Sequence, residues 1–118
     1  MAKNKPKFAV LATVSPVDTA RMGMLLDYAS VASAVGYDAL VFLALDSVLL
    51  VKKQVFEKLD NSIKEKFKNA TELGVKFVAC SSAVQGFSVR EFINDKVEIW
   101  GAASFFEYAS NSKLTLSI

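Results

Sequence analysis

Apolar residues in this chain fall into short unbroken runs, separated by stretches with helical spacing. Residues 7–14, Lys7-Phe8-Ala9-Val10-Leu11-Ala12-Thr13-Val14, are apolar almost throughout instead of alternating. That is the pattern of a strand covered on both faces, as in a parallel sheet. Ser15-Pro16 ends the run, because Pro16 has no N–H to donate and its ring drives Ser15 away from helical geometry. Asp18 or Thr19 then caps a helix with apolar positions Met22, Leu25, Leu26, Ala29, Ala32, Ala34 and Val35, and Gly36 is its natural stop. This helix is apolar on more than one face, so it is buried or lies at an interface.

Asp38 precedes a second strand over residues 39–45. Asp46 and Ser47 end it and offer a cap for a helix starting at Val48. A charged amphipathic segment follows to about Leu73, broken near Asp60-Asn61, with Val55, Phe56, Leu59, Ile63, Phe67 and Ala70 at helical spacing. Gly74 stops it. Residues 75–79 form a third strand, and a helical piece over 88–92 follows a loop containing Gln85-Gly86. Residues 97–100 form a fourth strand, and Gly101 opens a helix over 102–109. Asn111-Ser112 turns the chain into a terminal strand at 114–116, whose cleaner alternation suits a sheet edge. Strands alternating with helices predict an α/β fold: a three-layer α/β/α arrangement around a mostly parallel five-stranded sheet, flavodoxin-like in kind. The pattern leaves the strand order open. A length of 118 residues predicts one domain, 1–118, able to bury a core without disulfides or metals.

Composition adds an expectation about assembly. Hydrophobic residues make up 53% of the chain, rich for a small monomer, so sister subunits are expected to cover part of the surface. The formal net charge is only +2, and the lysines of residues 52–68 are interspersed with Glu57, Asp60 and Glu65. That suits a solvated helix face and argues against direct nucleic-acid binding. The most apolar stretch, residues 39–51, is interrupted by Asp46 and is too short to span a bilayer. The basic start, Lys3, Lys5 and Lys7, is not followed by the apolar segment and cleavage site of a secretory signal, so a cytoplasmic location is expected.

One cysteine and no histidine narrow the chemistry. A Ser-His-Asp or Cys-His arrangement is impossible, and a single cysteine allows neither an intrachain disulfide nor a multi-cysteine zinc site. No Gly-x-Gly-x-x-Gly or Gly-Lys-Ser/Thr motif supports nucleotide binding, and no metal or cofactor is expected. Cys80 closes the apolar run Val75-Lys76-Phe77-Val78-Ala79 and precedes Ser81 and Ser82, so it marks the carboxyl end of the third strand. In open α/β sheets ligands collect at that edge, and the start of a helix or nest of N–H groups favours a cysteine's anionic form. The alternative is an inert buried thiol, since free cysteine is among the most buried residue types. The Ser15-Pro16-Val17-Asp18-Thr19 loop follows the first strand at the same edge. It either lines the Cys80 pocket, with Ser15, Thr19 and Arg21 meeting an anion, or is an ordinary capped loop. Trp100, Phe105 and Phe106 shape a pocket or belong to the core.

Two blocks carry a resemblance to a known family. Gly74-Val75-Lys76-Phe77-Val78-Ala79-Cys80-Ser81 and Val97-Glu98-Ile99-Trp100-Gly101-Ala102-Ala103-Ser104-Phe105-Phe106 are similar to the pattern of the DsrE/DsrF/TusD-like sulfur-relay proteins. The resemblance runs over nearly the whole chain. It implies a small α/β domain that assembles into homo-oligomers, commonly trimers or hexamers. It also implies that the cysteine at the position of Cys80 accepts sulfane sulfur, as a persulfide or thiosulfonate, and passes it to partner proteins. Backbone N–H groups and hydroxyls of Ser81 and Ser82 are then expected to hold the sulfur anion. The chain departs from the family in having no second cysteine and no methionine-rich segment over residues 81–86. Two other readings stay open: a non-catalytic binding subunit of the same fold with a structural cysteine, and a small flavodoxin-like ligand-binding domain.

Overall fold

The computed structural model describes residues 5–118. The first apolar run forms β1 (Lys7–Ala12), and helix α1 (Thr19–Ala34) follows, its first turn held by the Asp18 carboxylate accepting from the Arg21 N–H at 3.1 Å. Gly36, with φ 106, supplies the left-handed residue that ends α1 and turns the chain into β2 (Asp38–Leu43). A 3-10 helix (Leu45–Val51) and the short α2 (Lys53–Phe56) come next, then α3 (Asn61–Glu72), capped by Asp60 accepting from the Ser62 N–H at 2.8 Å. Gly74, φ 95, stops this segment and starts the turn into β3 (Lys76–Cys80). After β3 come α4 (Ser81–Gly86), β4 (Glu98–Trp100), α5 (Ala102–Ser110) and β5 (Leu114–Ser117).

The expected α/β class holds, and all strand pairs are parallel, so the sheet is fully rather than mostly parallel. Its order is β4-β3-β2-β1-β5. The helical piece expected over residues 88–92 lies instead at Ser81–Gly86, directly after Cys80. The reason is backbone geometry: Phe87 and Val89 donate back to Ala83 and Val84, and Ser88 takes a left-handed φ of 51, which ends the helix there. Residues 88–97 then wander, tied down by the pairing of Phe92 with Lys52 and by the Lys52 ammonium on the Phe87 carbonyl at 2.9 Å.

Period-two alternation along the strands sends side chains to two separate cores. On one face Phe8, Val10, Val41, Leu43, Phe77 and Ala79 pack under α1 and α3, with Met22, Leu25, Leu26, Ile63 and Phe67 closing from above. On the other face Ala9, Leu40, Phe42 and Val78 pack against Phe105 of α5, whose ring stacks on Phe42 at 4.5 Å. The division follows from connectivity. Right-handed crossovers from β1 to β2, β2 to β3 and β3 to β4 all step one way and leave their helices on one face. The return from β4 across the sheet to β5 steps the other way and puts α5 on the opposite face.

Helices α1 and α3 pack closely around Gly23. A Cβ built there would meet the Lys66 side chain at 3.6 Å and Ile63 Cδ1 at 3.9 Å, ordinary contact distances. The same substitution is therefore expected to act with opposite signs at two glycines. Gly23→Ala should raise stability by about 0.5–1 kcal/mol, since alanine loses less entropy in a helix interior. Gly74→Ala should lower it by about 1–2 kcal/mol, because its positive φ disfavours a Cβ. Urea unfolding of the two variants beside the wild type measures both.

Candidate functional site

Strand β3 delivers Cys80 to the carboxyl edge of the sheet, where it is at once the last strand residue and the residue that caps α4. No loop intervenes, so the extended backbone of Cys80 (φ −70, ψ 128) gives way to helix at Ser81. By alternation the Cys80 side chain lies on the α5 face, with Val78 and Trp100, and it is partly buried there, in touch with both cores. Its register partner on β4 is Trp100.

The Trp100 ring is held in place. Its indole N–H donates to Glu98 at 3.1 Å, Lys76 bridges the same carboxylate at 2.9 Å, and the Lys76 ammonium lies 5.5 Å from the ring centre. The hydrogen bond from Lys76, and then that from Trp100, hold the Glu98 carboxyl below its ordinary value. Tyr108 of α5 lies 6.0 Å from Trp100.

Strands β3 and β4 are neighbours, yet the helices that leave them go to opposite faces. Ala83 of α4 sits in the first core and Phe105 of α5 in the second. In open α/β sheets, ligands collect where adjacent strands diverge in this way, at their carboxyl ends. Cys80 and Ser81 stand on one side of this divergence and Trp100 and Gly101 on the other; the space beside Gly101 holds the Ser81 hydroxyl, 3.9 Å from where a Cβ would stand. The first turns of α4 and α5 thus start side by side. Aspartates cap α1 and α3, but neither α4 nor α5 has a side-chain cap, so their leading N–H groups are not claimed by a side chain. Next to this edge, past the end of β2, Leu45 takes a left-handed φ of 49, which costs a leucine about 1–2 kcal/mol.

Of the residues proposed from the sequence, Cys80 and Ser81 lie at this edge, and Ser82 follows as an exposed residue in the first turn of α4. Ser15, Thr19 and Arg21 lie at the end of β1, with β2 between them and β3, roughly two strand spacings or 10 Å away. Arg21 is held by Asp18 at 2.9 Å, and the Ser15 hydroxyl accepts from the Val17 N–H. The backbone N–H of Arg21, and then its guanidinium, hold the Asp18 carboxyl below its ordinary value. Gly101, Lys76 and Glu98 were not singled out for the site. Gly101 stood in the Val-Glu-Ile-Trp-Gly block and was legible as a helix start, but its place beside Ser81 follows only from the pairing of β3 with β4.

Comparison with known proteins agrees with this architecture. The family model of the DsrE/DsrF-like family matches residues 6–117. The chain belongs to the DsrE/DsrF-like family. Among solved structures, the ychN protein from E. coli superposes with a TM-score of 0.75 at 17% identity, over 96% of this chain and 99% of that one. A conserved protein of unknown function from Bacteroides thetaiotaomicron, BT1422, gives 0.70 at 22% identity, over 96% and 95%. At such identities the likeness concerns the fold. No curated protein matches the chain. Among the described residues no helix is long and apolar enough to cross a membrane.

Tyr108, on the same face, gives a spectroscopic check on this packing. Its hydroxyl donates to the Asp38 carbonyl at 3.1 Å, and burial, with the Asp38 charge second, pushes its pKa up to about 12. A raised pKa favours the protonated phenol in the fold, so this stabilisation is complete below the unfolded value near 10 and disappears as pH rises through about 12. Ultraviolet titration of phenolate should show one tyrosine ionising at about 12. Tyr108→Phe should abolish that phase and no other.

Proposed function

We propose that the protein is a sulfur carrier of the relay type, with Cys80 as the residue that takes and gives sulfur. The Cys80 thiolate attacks the outer sulfur of a donor persulfide. A new S–S bond forms at Cys80 while the donor's S–S bond breaks, and its electron pair leaves with the donor thiolate. The products are a Cys80 persulfide and a free donor thiol, with no net oxidation and no metal or cofactor. The same exchange in reverse order hands the sulfur to an acceptor cysteine. Because the chain has one cysteine, donor and acceptor are both partner proteins. This chemistry suits a reducing cytoplasm, and nucleic acid and membrane are not direct partners.

The observation that carries the reading is the position of Cys80 in a sulfur-relay family fold: at the carboxyl edge where β3 and β4 diverge, beside two helix starts without side-chain caps. Free N–H groups and the positive ends of helices favour an anion there. In this reading Ser81 and Ser82 hold the anionic sulfur, the pinned Trp100 walls the site, and Ser15, Thr19 and Arg21 belong to the rim that a partner covers. One observation favours a second reading, a binding subunit with a structural cysteine: Cys80 packs partly buried against both cores.

Intact mass after incubation with polysulfide or thiosulfate separates the two. The relay reading expects the wild type to gain sulfur that reductant removes, and Cys80→Ser to gain none. An unmodified wild type, under conditions where free cysteine reacts, would establish the structural role instead.

A further inference from the structure

A hollow of about 500 Å³ opens at the carboxyl edge of the sheet, where the loop after β1, the start of α2 and the segment after α4 meet. Three cations line it: Lys52, Lys58 and Arg90. No carboxylate does, and among the described residues none of the three forms an ion pair. Lys58 and Arg90 are exposed, but Lys52 is half-buried. Its ammonium donates to the Phe87 carbonyl at 2.9 Å, one neutral partner for a group with three N–H donors. Part of its water is gone with no opposite charge in its place. An arriving carboxylate therefore gains more there than at a lysine in open solvent.

The rest of the lining is largely apolar. Val17 is 74% exposed, Val55 is half-buried, and Leu59 is buried against the core. The walls are fixed before anything binds. The Lys53 N–H donates to the Glu91 carbonyl and the Ile93 N–H to the Val51 carbonyl, both at 3.0 Å, which ties the start of α2 to the segment after α4. The hollow also lies near the thiol. Cys80 caps the start of α4, Ser88 and Arg90 follow its end, and six helical residues span about 9 Å. A partner that covers the carboxyl edge at Cys80 reaches the hollow with a segment of a few extended residues, at about 3.3 Å each.

We propose that this hollow receives an acidic segment of the protein that exchanges sulfur with Cys80, with carboxylates on Lys58 and Arg90 and apolar side chains on Val17, Val55 and Leu59. Charge complementarity is the argument for that occupant: three cations without a carboxylate among them attract an acidic surface and fix its register on the edge. The apolar part of the lining favours polypeptide over nucleic acid. A phosphate backbone has nothing to place on two valines and a leucine, and this lining holds no aromatic ring on which a base could stack. The identity of the partner rests on the sulfur-carrier reading; the charge and apolarity of its segment rest on the lining alone.

Fluorescence anisotropy on the full chain tests it, with three labelled probes: a short peptide of glutamate and leucine, the same peptide with lysine for glutamate, and a single-stranded RNA oligonucleotide. Physiological ionic strength is used, where charges more than about 8 Å apart are largely screened. The acidic peptide should bind and the basic one should not. Lys58→Glu and Arg90→Glu, both at exposed positions, should each weaken binding about tenfold with an unchanged far-ultraviolet circular dichroism spectrum. Lys113→Glu makes the same change of charge next to β5, at the opposite edge of the sheet, and should leave binding nearly as it was. Lys52 is left intact because it holds the Phe87 carbonyl. A wild type that ignores the acidic peptide would overturn the proposal, as would an equal loss in Lys113→Glu, which would reduce the effect to net charge. Tighter binding of the RNA, lost in the same two variants, would assign the cations to a phosphate backbone instead. Sulfur uptake by Cys80 is read separately by the mass adduct and succeeds or fails independently of peptide binding.

Discussion

The return crossover from β4 to β5 is the constraint on which the other features depend. Three successive right-handed steps build the sheet in one direction and leave their helices on one face. The fourth reverses direction to reach the far side of β1, and handedness then places α5 on the other face. One reversal creates two unequal cores, an edge strand with no helix above it on the α1 face, and the divergence of the helices that leave β3 and β4. The candidate site and the uncovered face of the edge strand are consequences of the same topological event.

Packing turns that topology into a defined site. Because β3 and β4 are parallel neighbours in register, Cys80 stands beside Trp100, and the helices that follow begin beside each other at Ser81 and Gly101. The Lys76–Glu98 pair is exposed and worth little to stability. Its contribution is orientation, since it fixes the Trp100 ring through the indole N–H and through the ammonium over the ring face. The two longest helices are held at their starts by a carboxylate, whereas the starts of α4 and α5, like those of the 3-10 helix and α2, carry no side-chain cap.

Much of this was readable along the chain. Nearly continuous apolar runs at 7–14, 39–45 and 75–79 announced buried parallel strands, because a strand covered on both faces tolerates apolar residues at consecutive positions. Gly36 and Gly74 announced the helix ends, and both adopt positive φ. The short helix after Cys80 was misplaced, since Ser81-Ser82-Ala83-Val84-Gln85-Gly86 has weak local preference and is made helical by its position between β3 and the 3-10 segment. The apolar excess of α1 was legible as a helix with two apolar faces, but which face would be left open was not.

The sequence by itself determined all five strands, every helix but the one after Cys80, a largely parallel sheet and the edge at which Cys80 stands, because these follow from local periodicity, capping residues and the length of the connections. Only the tertiary structure decided the strand order, the face on which each helix lies, and therefore the company Cys80 keeps. Those properties depend on which strands pair across the sheet, and pairing is a contest among long-range contacts that no local window of the chain records. Arg21 illustrates the difference. It stands at the right edge by sequence, yet the structure places β2 between it and the thiol and gives its charge to Asp18.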